Sequence, residues 1–128
     1  MTKEKVSNAV FLIINLLTVI LLFTITDYFT HELRDAFSVP PHYFWNKVPA
    51  AFGLAVIGLL LSIKIKGVWL KALVTGGFTA VLLQGKYFIE GYPLDFVFLF
   101  LLLHFLMLYP LLVLMFWVYN KYSKIENI

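Results

Sequence analysis

Three side chains able to ligate a metal fall at four-residue intervals: Asp27, His31 and Asp35. On a helix that spacing places them on one face. Carboxylate and imidazole together suit Zn, Cu or Fe, so Asp27, His31 and Asp35 are the expected ligands if a metal ion binds. The competing reading is structural. Asp27 caps a helix, Arg34 and Lys47 neutralise nearby acids, and the remaining charges are solvated. A second candidate is His104, which sits in a long apolar run. It follows Asp95 by nine residues, about 14 Å along a helix. An ionisable side chain at that depth in a membrane is costly and faces other helices. A functional histidine there relays protons or binds haem, a metal or a quinone. A structural one hydrogen-bonds Asn15, Thr18 or a backbone carbonyl. No second histidine falls in an apolar run, so a haem would lack its second ligand.

The elements that must position these residues are read from hydropathy. The chain has 128 residues, 62% hydrophobic, 18% aromatic and only 13% charged. One small soluble core cannot hide such an excess, so lipid must solvate much of it. We expect an all-α membrane protein. Its single domain, residues 1–128, would be a four-transmembrane-helix bundle with spans at about 7–26, 48–65, 68–87 and 94–119. The apolar run from Ala9 to Ile25 is long for a signal core and no small-x-small site follows it, so it reads as an uncleaved first span. Phe29, Leu33 and Phe37 recur every four residues with polar residues between. That pattern predicts a short amphipathic helix in the first outer loop, lying in the membrane interface and stopped by Pro40-Pro41. Pro49 is expected near the start of the second span, where its missing N–H costs little. Pro110 is expected to kink the fourth.

Lysine and arginine set the expected orientation. Lys3, Lys5, Lys64, Lys66, Lys71, Lys121 and Lys124 fall on one side; Arg34, Lys47 and Lys86 fall on the other. The larger set marks the cytoplasmic side, which puts both termini inside and argues against a dual-topology exporter. Asp27, Glu32, Asp35, Glu90 and Asp95 then lie outside with His31 and His42, leaving only Glu4 and Glu126 inside. Small residues repeat every four positions: Ala72, Gly76 and Ala80 on the third span, Ala51 and Ala55 on the second. They predict close packing of these two helices, which a tight turn joins. Tyr43, Phe44, Trp45, Tyr87 and Tyr92 are aromatics suited to a headgroup belt or a protein interface.

Asp27-x3-His31 followed by His42 resembles the Asp-x3-His…His copper ligands in the membrane subunit of particulate methane and ammonia monooxygenases. The likeness covers residues 27–42 alone; the second spacing is shorter than in that family and two prolines interrupt it. Other signatures are absent: no Walker motif, nucleophile elbow, His-Glu-x-x-His or voltage-sensor arginine pattern. Cysteine is absent, which excludes disulfides and thiolate sites. The basic residues sit at span ends, so nucleic acid is not an expected partner. Spans with so little polar chemistry point to a small non-catalytic accessory or structural subunit of a larger membrane complex, of respiratory or monooxygenase type, with the lipid bilayer and other membrane subunits as partners. The alternatives are a metal-dependent membrane enzyme using the outer Asp/His cluster, and a small oligomeric transporter or channel built around His104 and Asn15. The sequence requires no cofactor and admits a metal ion.

Overall fold

The computed structural model describes the backbone of residues 3–122 and the side chains of residues 7–122. Lys3, Glu4, Lys5, Lys124 and Glu126, used above for topology, lie outside the described side chains. The described residues form four long helices: α1 (Lys3–Glu32), α2 (His42–Leu61), α3 (Val68–Ile89) and α4 (Leu94–Tyr122). All four are long and apolar enough to cross a membrane. Neighbours in sequence are neighbours in space, and α4 closes the ring against α1, the arrangement that short antiparallel connections impose.

The limits differ from the expected spans, for a physical reason. The separate amphipathic helix is not formed. Instead α1 runs on through Asp27 and His31 to Glu32, and only a single 3-10 turn, Asp35–Phe37, follows. Continuing the helix keeps Asp27 and His31 on the buried face where their partners are. Phe29 and Leu33 are exposed as a result. Likewise α2 begins at His42, a turn and a half before the expected start, so Pro49 lies inside it. The earlier start carries Lys47 into the bundle. At the other end α2 stops at Leu61, and Gly67, at φ +96°, turns the chain into α3. A side chain there would be strained.

Ala51, Ala55, Ala72, Gly76 and Ala80 are all buried. A Cβ added at Gly58 would lie 3.2 Å from the Thr75 backbone, and one at Gly76 would lie 3.2 Å from Leu112 Cδ1. Helices α2 and α3 therefore touch almost backbone to backbone, and α3 and α4 approach nearly as closely. Dispersion contacts of this kind are the main attraction left where lipid competes for apolar surface. The main core joins Leu16, Ile20 and Phe23 of α1 to Leu108, Leu112 and Phe116 of α4 across the alanines of α2 and α3. A second, smaller cluster of Val39, Tyr87, Phe96, Val97 and Phe100 lies where α1 and α3 end and α2 and α4 begin.

Candidate functional site

Beside that second cluster, all four helices contribute one buried polar side chain or more. Helix α1 supplies Asp27 and His31, one turn apart. Helix α2 supplies Lys47, α3 supplies Gln84 and Tyr87, and α4 supplies His104. Asp27 is the hub. Its Oδ2 accepts a hydrogen bond from the Lys47 ammonium, and its Oδ1 lies 2.8 Å from His104 Nε2. Lys47 also donates to the Tyr87 hydroxyl, at 3.0 Å. His104 Nδ1 lies 2.6 Å from the Gln84 amide nitrogen.

The hydrogen bonds determine where the imidazole protons sit. His31 Nδ1 is 2.6 Å from the Phe37 carbonyl oxygen. A carbonyl only accepts, so Nδ1 carries the hydrogen. In neutral His31 the other nitrogen, Nε2, is then a bare lone pair. It faces Asp27 Oδ1 across 3.4 Å and has no hydrogen-bond partner. Two electron pairs opposed in a dry interior repel unless a cation lies between them. His104 is different. Its Nε2–H donates to Asp27, and its Nδ1 accepts from Gln84. The Gln84 Oε1 is left buried without a partner. An amide can turn end for end. Gln84 would then accept from Nδ1–H, and His104 Nε2 would become a second free lone pair.

One ligand atom from each of Asp27, His31 and His104 lies within 4.8 Å of the other two. Ligands held at about 2.0–2.1 Å from a tetrahedral metal stand roughly 3.3 Å apart, close to the 3.4 Å between His31 Nε2 and Asp27 Oδ1. Aromatic walls hold the rings. His31 stacks flat on Phe100 at 4.2 Å, with the Phe44 ring edge-on at 5.6 Å, and Phe23 meets His104 edge-on at 5.2 Å.

Of the expected ligands, Asp27 and His31 come together at this centre. Asp35 does not join them: it lies exposed on the 3-10 turn that follows α1. His42 is exposed at the start of α2, against Tyr43. His104 is fully buried, but its partners are Asp27 and Gln84 and not the expected Asn15, which bonds the Phe11 carbonyl of its own helix. Thr18 likewise bonds within its own helix, to Ile14. The aromatic set divides. Trp45 is exposed, Tyr87 is buried in the centre, and Tyr43, Phe44 and Tyr92 are half-buried around it. Tyr43 donates to Glu90 and packs edge-on against Tyr87 at 5.8 Å.

Sequence reasoning named Lys47 only as a neutraliser of nearby acids, which it is for Asp27, and missed Gln84 and Tyr87 as members of the centre. Gln84 and Tyr87 stand three residues apart, one turn of α3, and that spacing was the available signal. It also missed a polar row at the opposite end of the bundle. Lys71, Thr75 and Thr79 recur every four residues on α3 and are all buried. Lys71 donates to the Ser62 carbonyl at 2.8 Å, and Ser62 and Thr75 share a hydroxyl contact of 3.3 Å. The row stops there. The next position on that face is Leu83, buried and apolar, so the row does not run on to the centre.

No family model matches the chain, nor does any curated protein or solved structure.

Proposed function

We propose that this chain is a metal-dependent integral membrane protein. Asp27, His31 and His104 hold a divalent first-row transition metal ion near the outer face, and the amino and carboxyl ends lie in the cytoplasm. The observation that carries the reading is the buried, unpartnered Nε2 of His31, aimed at a carboxylate that His104 also touches. Support comes from the groups behind the ligands. Metal-bound histidines nearly always donate their outer N–H to a carbonyl or carboxylate. Phe37 already provides that carbonyl to His31, and the unpartnered Gln84 Oε1 would provide it to His104. Two histidines and one carboxylate form a set that suits Zn or non-haem Fe and leaves a position for an outside ligand, as in catalytic sites. The orientation rests on the lysine asymmetry of the chain ends and the 64–66 turn.

Metal analysis of the purified protein tests the reading. About one equivalent of metal is expected in the native chain, and a large loss in a His31→Ala/His104→Ala variant. Equal metal content in both would overturn it. It would leave a doubly protonated His31, bridging Asp27 and Phe37, as the occupant of the gap.

A second reading keeps the chain as an accessory subunit of a larger membrane complex. Its support is an apolar groove of about 290 Å3 between α1 and α2, lined by Thr24, Tyr28, Phe29, Phe44 and Trp45. Trp45, at 82% exposure, forms its rim. Mild-detergent extraction followed by a native gel and mass spectrometry decides it. A reproducible larger membrane partner would favour this role, and a lone chain recovered under several gentle conditions would remove it.

A further inference from the structure

The centre carries one feature that a simple metal site would not want. Lys47, a buried cation, already neutralises Asp27. Asp27 contributes −1 and Lys47 contributes +1, so the pair is neutral. A divalent ion would leave +2 uncompensated in a water-poor interior, where unbalanced charge costs several kcal/mol. The ion must arrive with an anion or bind poorly.

A seat for that anion exists. Between α2 and α3, a cavity of about 30 Å3 is lined by Lys47, Tyr87, Asn46 and Lys86 among other residues. Roughly 10–15 Å3 is enough for one water-sized ligand. The lining contains two lysines and no carboxylate; Lys86 is paired with Glu90 at 3.9 Å, so Lys47 is the cation that faces the anion. Two donors in it are also unspent. The Tyr87 hydroxyl accepts from Lys47, and among the described residues nothing accepts its proton. The Lys47 ammonium has three hydrogens and gives one to Asp27 and one to Tyr87. Donors without acceptors beside a small, cation-lined cavity are what a small anion requires.

We infer that the cavity between Lys47 and Tyr87 binds chloride, which enters together with the metal ion and offsets one of its two uncompensated charges. The inference rests on the metal reading above. It makes Lys47 a positioning residue that couples anion to metal, and linkage requires that each raise the affinity for the other.

The test is a competitive Zn2+ titration of the full-length protein in detergent. Chloride is raised tenfold against methanesulfonate at constant ionic strength. Apparent metal affinity should rise up to tenfold with chloride and stay flat in methanesulfonate, which is too bulky for the seat. Lys47→Met should bind Zn2+ more tightly than the native chain and lose the chloride dependence, because one buried positive charge is gone. Tyr87→Phe, which keeps the Asp27–Lys47 pair, should show a shallower response to chloride than the native chain. This second variant keeps the test decisive if Lys47→Met does not fold. No Zn2+ binding by the native chain would overturn the metal reading and this inference with it. Zn2+ binding that ignores chloride, or a chloride response unchanged in Tyr87→Phe, would overturn the inference and leave the metal reading standing.

Discussion

Asp27 and Lys47 meet as a buried ion pair although they stand on different helices and twenty residues apart in the chain, with side-chain exposures of 0% and 5%. The pair ties α1 to α2 at the end of the bundle where the longest loop joins them. Buried pairs seldom add net stability over apolar packing, but breaking one leaves an uncompensated charge. Asp27→Leu should therefore lower stability by about 3–5 kcal/mol, and Asp27→Leu/Lys47→Met should recover most of the loss. Unfolding by SDS in mixed micelles, followed by circular dichroism, measures both. A single variant as stable as the native chain would show that the pair is not formed.

Gln84 is expected to act through His104. Gln84→Leu removes the amide that holds Nδ1, and loss of such an outer partner typically weakens metal binding by about 10–100-fold. Thr24→Val serves as the control. Thr24 is buried near the centre but bonds only the Ile20 carbonyl of its own helix. Zinc competition with a chromophoric chelator reads both affinities. Equal weakening in the two variants would mean that general loosening, and not the Gln84 amide, is responsible.

Three of the helical glycines, Gly53, Gly58 and Gly76, should rank by what a methyl group would meet. Gly58→Ala drives Cβ against the Thr75 backbone at 3.2 Å, which cannot yield without parting α2 from α3. We expect a loss of about 1–3 kcal/mol. Gly76→Ala meets Leu112 Cδ1, a side-chain end that can rotate, at 3.2 Å, with Leu108 and Phe105 in ordinary contact at 3.9 Å, so it should cost less. Gly53 has nothing within 4 Å, and Gly53→Ala should be neutral or slightly stabilising. Thermal unfolding in detergent gives the order, and a Gly53 variant as damaged as the Gly58 variant would contradict the packing account.

Lys71 closes the far end of α2. Its ammonium reaches the Ser62 carbonyl at 2.8 Å and the Ile63 carbonyl at 3.4 Å. Lys71→Met keeps the length of the side chain and removes the donor; the Ser62 carbonyl keeps only the Ile65 N–H, at 2.9 Å, and the Ile63 carbonyl loses its partner. We expect about 1–3 kcal/mol of destabilisation. Amide hydrogen exchange should report faster opening over residues 58–66 than in the native chain. Unchanged protection there would show that water or lipid headgroups replace the lysine.

The orientation has its own check. Reporters inserted near Val39, Gly67 and Gly91 and at the carboxyl end should read outside, inside, outside and inside. An external signal at Gly67 would invert the assignment and put the Asp27 centre on the cytoplasmic side.

The four helices were legible in the sequence because their cause is local. Long apolar runs, punctuated by Asp27, the Pro40-Pro41 pair, Gly67 and Pro93, leave the backbone no other way to satisfy its hydrogen bonds in lipid. The small-residue faces of α2 and α3 were legible for the same reason, since a repeat of four is a property of one helix. Asp27 and His31 could be singled out together because they too share one helix face. What the sequence could not show is which polar groups from different helices meet. His104 pairs with Asp27 across 77 positions and Lys47 reaches Asp27 from a second helix. Asp35, one further turn along the same expected face, is lost because α1 ends at Glu32. Those outcomes depend on where each helix stops and how it is rotated in the bundle, and both follow from packing all four helices at once. The same polar residues that look like loop charges along the chain become a buried centre because pairing them inside removes the cost of leaving any one of them alone.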